Sequence, residues 1–129
     1  MKNNEQQPFI DEEIINNMKE LGNGDGDFSD RLLITQLMSV YLENLQERID
    51  ELKKAMGENN FQLVERVAHT LKSSSKLIGL SILADNCQLL EDFGYNKNLN
   101  SAATVYKKII EDLDKVKNLI PEKIKLIES

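Results

Sequence analysis

Apolar residues recur along this chain at spacings of three and four, the period that turns one face of an α-helix toward a core. Ile14, Ile15, Met18 and Leu21 make a first, short stripe. Asp11 can cap its first turn and Gly22 offers a stop where positive φ is cheap, so a short helix is predicted between them. From Phe28 onward, Leu32, Met38, Tyr41, Leu45, Ile49, Leu52 and Met56 keep a second stripe that closes at Gly57, predicting the longest helix of the chain. Asn59 or Asn60 then caps a third helix, with Phe61, Val64, Ala68, Leu71, Ser75 and Ile78 on its buried side and Gly79 at its end. Leu80, Leu83, Cys87 and Leu90 form a fourth stripe before Gly94. After the turn YNKNLNS, a fifth runs through Ala102, Val105, Tyr106, Ile109, Leu113, Val116 and Ile120 until Pro121 stops it.

Short connections between long amphipathic helices make neighbours antiparallel. The expected fold is therefore all-α, an up-down bundle over residues 10–120. Residues 1–8, polar and ending in Pro8, read as a loose leader, and residues 121–129 as a C-terminal tail with room for one further turn. No internal repeat or low-complexity segment marks a boundary, so residues 1–129 read as one domain.

Composition narrows the function classes. With 22 Asp+Glu against 16 Lys+Arg, the formal charge of -6 would repel a phosphate backbone, which argues against nucleic-acid binding. No apolar run approaches a membrane span and the N-terminus lacks the apolar stretch of a signal peptide, so no membrane insertion and a cytoplasmic location are expected. The single cysteine, Cys87, forms no internal disulfide and supplies too few ligands for a Cys-based zinc site, so no metal is expected. Cys87 lies in an apolar stripe and reads as core, like Met38 and Met56. The stretch GNGDGD, residues 22–27, resembles a calcium loop in composition only. Counted from Asn23, Phe28 stands where such a loop needs Gly and Ile34 where it needs a bidentate Glu, which leaves a solvated turn capped by Ser29.

The only histidine, His69, breaks the pattern. One residue beyond the buried Ala68, it is rotated about 100° and reaches the edge of the core, facing solvent. Lys72 at i+3, Ser73 at i+4, Lys76 at i+7 and Arg66 at i−3 give it a locally basic strip in an acidic protein. Nothing in the local spacing marks a Ser-His-Asp set, and one His with one distant Cys cannot anchor zinc. An exposed imidazole can instead be a nucleophile that carries a phosphoryl group. A carboxylate on its Nδ1–H would fix the tautomer and leave the Nε2 lone pair outward, while Lys72 could attract phosphate oxygens.

The stretch Ala68-His69-Thr70-Leu71-Lys72-Ser73-Ser74-Ser75-Lys76-Leu77-Ile78-Gly79-Leu80, followed by Leu83, Cys87 and the Leu90-Glu91 pair, resembles the histidine-containing phosphotransfer (HPt) domain. The resemblance covers most of the chain. It implies a four-helix up-down bundle with the additional N-terminal helix covering one end, His69 as phosphoacceptor, Lys72 as phosphate-facing cation and Gly79 as the tight turn. Glu91 falls where the family places a Gln or Glu that hydrogen-bonds the acceptor imidazole, and Gln88, one turn earlier, belongs on the same side. Ser73 departs from the family's usual Gly. Its hydroxymethyl adds bulk beside the imidazole and a hydroxyl within reach of a phosphate. Arg66 and Lys76 are candidates for docking or phosphate contact, and the Ser73–Ser75 run reads better as small residues on a docking face than as a kinase target.

The function so implied is a phosphorelay intermediate between receiver domains, or between a sensor or hybrid histidine kinase and a response regulator. It is a carrier and not an independent enzyme. No bound cofactor is expected, because Mg²⁺ and the acceptor aspartate belong to the partner. The alternative is a bundle of the same fold that takes no phosphoryl group and sequesters a receiver or kinase. A third reading, a phosphotransfer domain of a larger kinase, gives the same chemistry in another covalent context; the polar N-terminus with Met1 favours a free-standing protein. A monomer is expected.

Overall fold

The computed structural model describes residues 28–128, and among them it contains four α-helices and no strand. They are α1 (Phe28–Gly57), α2 (Phe61–Leu77), α3 (Ser81–Tyr95) and α4 (Leu99–Glu128). Each packs on two neighbours, α1 on α2 and α4, α3 on α2 and α4, and the backbones of the diagonal pairs stay apart across the shared core. That is the arrangement of an up-down four-helix bundle. The leader, the helix predicted between Asp11 and Gly22, and the GNGDGD stretch lie outside the described residues.

The buried stripe of α1 runs Ile34, Met38, Tyr41, Leu45, Ile49, Leu52 and Ala55. Two positions differ from the sequence expectation. Leu32 is exposed, because six residues before Met38 is a rotation far from the stripe, whereas Ile34, four before it, continues the face. Met56 is only half-buried and packs at the margin, with Ala55 taking the central place. Ser29 falls within the bounds of α1, and the capping role expected of its side chain lies outside what is described.

One turn geometry joins all four helices. After α2, the Leu80 N–H donates to Ser75 O (2.8 Å) and the Gly79 N–H to Lys76 O (3.2 Å), the paired closure that requires one left-handed residue. Gly79 supplies it at φ 84°. The same pair of bonds recurs after α1, from Asn60 and Asn59 to Ala55 and Met56, and after α3, from Asn98 and Lys97 to Phe93 and Gly94. There the left-handed residues are Asn59 (φ 53°) and Lys97 (φ 57°). Gly57 is therefore the last residue of α1 and not its stop. The residue that finishes each turn also starts the next helix: Asn60 Oδ1 accepts from Leu63 N–H and Asn98 Oδ1 from Ser101 N–H, both at 3.2 Å. The turn expected over YNKNLNS is thus confined to residues 96–98.

Gly94 is a second correction. It stands inside α3, buried, and a Cβ there would come within 3.3 Å of Phe61 O, Glu65 N and Val64 Cγ1 of α2. Its small size serves close helix contact. Pro121 does not stop the last helix either; α4 continues through it to Glu128, so residues 121–128 are helix and not tail. Proline removes one backbone bond, but Ile124 and Ile127 extend the stripe of Leu113, Val116 and Ile120 onto the core, and that burial offsets the loss.

Two polar features lie within the core. Tyr41 OH and Ser75 Oγ meet at 2.8 Å, satisfying both hydroxyls, and burial pushes the Tyr41 phenol well above its ordinary value. Asp112, absent from the predicted stripe, is buried with neither carboxylate oxygen in a hydrogen bond; Lys108 Nζ stands 3.2 Å from Oδ1 as an ion pair only. Cys87 is core as expected. Burial, with the Asp112 charge adding to it and Lys72 opposing, pushes its thiol up to about 12, so it stays protonated and inert.

Candidate functional site

The rotation of α2 is fixed by Val64, Val67, Ala68, Leu71 and Ser75, all buried. That stripe leaves His69 on the outer side, with 59% of its side chain exposed. Helix α3 runs beside it, held close at Gly94 and by the turn at Gly79, and presents Gln88 and Glu91 one turn apart across the seam.

Five side chains link across this seam. Glu91 Oε2 lies 3.1 Å from His69 Nδ1, and Glu91 Oε1 accepts from Lys72 Nζ at 2.9 Å. Lys72 Nζ also donates to Gln88 Oε1 at 2.7 Å, and Gln88 Nε2 donates to Asp92 Oδ1 at 2.9 Å. The order is Asp92, Gln88, Lys72, Glu91, His69. A carboxylate only accepts, so the His69–Glu91 bond requires the proton on Nδ1 and leaves the Nε2 lone pair of a neutral ring free. Desolvation would push Glu91 up, but hydrogen bonds from Lys72 and His69, with their charges, outweigh it and hold the carboxyl below its usual range. Glu91 is therefore ionised at neutral pH, and the bond to the imidazole is to an anion.

Of the residues singled out from sequence, His69, Lys72, Gln88 and Glu91 are brought together. Lys72 is only 19% exposed in its side chain, and its ammonium is bonded to Glu91 and Gln88, not extended toward solvent. Ser73 and Lys76 are exposed on the same helix and join none of these bonds. Arg66 is also exposed and has no hydrogen bond or ion pair to any described residue. It does line an open cavity of about 320 Å³ together with Gln62, Glu65, His69 and Glu91. Asp92 was not picked out by sequence reasoning; its spacing of four from Gln88 on one helix is the signal that could have found it.

One residue further round α2, at Thr70, a groove of about 220 Å³ between α1 and α2 is lined mostly by apolar and small groups, among them Leu37, Val40, Ser74 and Leu77, together with Asn44 and Arg48. Val40 and Leu77 are half-exposed there. Among the described residues no three His, Cys, Asp or Glu side chains gather as a metal cluster, and no helix is long and apolar enough to cross a membrane.

Comparison with known proteins agrees with this arrangement. The chain is 25% identical over 65 residues to the phosphorelay intermediate protein YPD1 of Candida albicans, a match spanning 50% of this chain and 35% of that protein. The fold superposes with a TM-score of 0.75 on the crystal structure of histidine-containing phosphotransfer protein B from Pseudomonas aeruginosa PAO1, at 19% identity, covering 92% of this chain and 96% of the other. The family model of the Hpt domain matches residues 36–119, well over half of the chain. An exposed imidazole on the second helix of a four-helix bundle, and a family match that spans those helices, agree on one conclusion: the chain belongs to the Hpt domain family.

Proposed function

We propose that this protein is a phosphorelay intermediate whose carrier group is His69 Nε2. One observation carries the reading: the only imidazole of the chain is exposed, and a carboxylate on Nδ1 holds it with the nucleophilic nitrogen outward. In the reaction, Nε2 attacks the phosphorus of an aspartyl phosphate on a receiver domain. The P–Nε2 bond forms as the P–O bond to the aspartate breaks, and the aspartate leaves as a carboxylate. The Nδ1 proton stays on the ring, which becomes a cation facing Glu91, so no proton need leave in the step. The reverse attack by a second receiver's aspartate returns the ring to neutrality. A sensor or hybrid kinase is the other class of donor.

This chain contributes a positioned nucleophile, and the Glu91 anion stabilises the imidazolium as it forms. The Mg²⁺ and the acceptor carboxylate belong to the receiver's site, so this chain need supply neither. Docking uses the apolar and small groups along the α1–α2 groove at Thr70, as a modest, transient interface. The sequestering alternative draws on Ser73, whose side chain stands one turn from His69 where the family usually has none.

The test is incubation with a phosphorylated receiver domain and Mg²⁺. Wild type should acquire an acid-labile, base-stable label that His69→Gln lacks. A wild type that binds the receiver and takes no label would replace this reading with sequestration.

A further inference from the structure

The lysine expected to face the phosphoryl group is already engaged. Lys72 Nζ is bonded to the Glu91 carboxylate and to the Gln88 amide, and Asp92 holds that amide from the other side. Its charge is balanced by Glu91 before any phosphate arrives. The cavity that contains the His69 imidazole is bordered by two carboxylates, Glu65 and Glu91, and by one cation, Arg66. A phosphoryl group on Nε2 puts nearly two negative charges on its oxygens, of which the imidazolium formed with it offsets only one. Lys72 offsets Glu91 and keeps one N–H unbonded, whereas the cation bordering the cavity with no carboxylate partner among the described residues is Arg66.

Helix geometry permits the contact. Arg66 and His69 are three apart on α2, so their Cβ atoms are about 5–6 Å from each other on one face, and an extended guanidinium spans that distance. Arg66 is exposed and bonded to no described residue, so it gives up no ion pair in turning to a phosphate. Its planar donors match two phosphoryl oxygens at once, which an ammonium cannot do. We propose that Arg66 is a phosphoryl-contacting cation of this protein, beside Lys72. The inference rests on His69 being the carrier, as proposed above.

A small donor separates phosphoryl contact from partner docking. Phosphoramidate needs no protein interface: Nε2 forms its bond to phosphorus as the donor's P–N bond breaks, ammonia leaves, and the Nδ1 proton stays on the ring. Rates of His69 phosphorylation by phosphoramidate and by a phosphorylated receiver are compared for wild type, Arg66→Gln, Arg66→Lys and, as a charge control on the helix diagonal to α2, Lys107→Gln. Arg66→Gln is expected to be slower by about tenfold with both donors, as for loss of a charge-assisted bond at an exposed site. Arg66→Lys should recover part of that loss, and Lys107→Gln should match wild type. Slowing with the receiver alone would make Arg66 a docking residue and overturn the inference, as would equal rates for Arg66→Gln and wild type. A wild type that takes no phosphoryl group from either donor would overturn the carrier reading itself, and this inference with it.

Discussion

The seam between α2 and α3 and the seam between α1 and α4 are built on opposite principles. The first joins two short helices that approach until a glycine is needed, and along its rim it carries five linked polar side chains. The second joins two helices of 30 residues through aliphatic stripes, with Lys117 Nζ bonded to Gln46 Oε1 at 2.7 Å across it. The contrast separates two tasks. Long apolar contact supplies stability and tolerates local change, whereas close backbone approach fixes where a few polar atoms stand to within hydrogen-bond tolerance.

Three measurements break or sharpen this contrast. The largest effect belongs to the stability side. Leu113→Ala removes a fully buried side chain of α4 and should cost about 2–5 kcal/mol in denaturant unfolding, with phosphorylation per folded molecule unchanged. A matching loss of phosphorylation in the folded fraction would show that the two seams are not separable.

Next is Gly94→Ala. The added methyl meets two backbone atoms of α2 at 3.3 Å, so α2 and α3 must give by a few tenths of an ångström, at a net cost of about 1 kcal/mol once the better helix propensity of Ala is counted. Here the site should respond with the fold: the His69 Nδ1 resonance in ¹⁵N NMR should shift as its bond to the Glu91 carboxylate weakens. An unchanged resonance would mean the network adjusts independently of the backbone.

The smallest effect is a pH dependence. Glu91 is held below its unfolded value, so the fold favours the ionised form. Its contribution to stability is complete above the unfolded carboxylate pKa, near pH 4.3, and is lost as pH falls through the lower folded value. The stability difference between wild type and Glu91→Gln, followed by urea midpoints from pH 7 to pH 3, should therefore narrow on the acid side. A difference constant with pH would assign the residue's role to packing.

Much of this was legible from spacing, and the failures have physical causes. Met38, Tyr41, Leu45 and Ile49 follow a single periodic face, and periodicity is a local property that the sequence displays directly. Stops were read less well. Gly94 and Pro121 look like breaks, yet one is a contact point and the other is carried through by the isoleucines beyond it, outcomes that depend on a neighbouring helix. Lys97 carries no sign of adopting a left-handed conformation, because the turn around it and not the side chain imposes that. At the site, His69 stands out as the only histidine, and Glu91 and Gln88 were placed by the resemblance to the family, with which their spacing on one helix agrees. Asp92 and the engagement of Lys72 were not visible, since both depend on which way an amide and an ammonium turn once the helices are docked.

The repeated turns carry a consequence for how this chain can vary. Each closes one helix and opens the next within three residues, so none holds slack. An insertion or deletion of one residue between Leu77 and Ser81 would advance or retard α3 by about 100° and carry Glu91 out of reach of His69. Substitutions can accumulate on the outward faces of both helices with little penalty, but the count of residues between His69 and Glu91 is held as a phase. The chain is free to drift in spelling there and not in length.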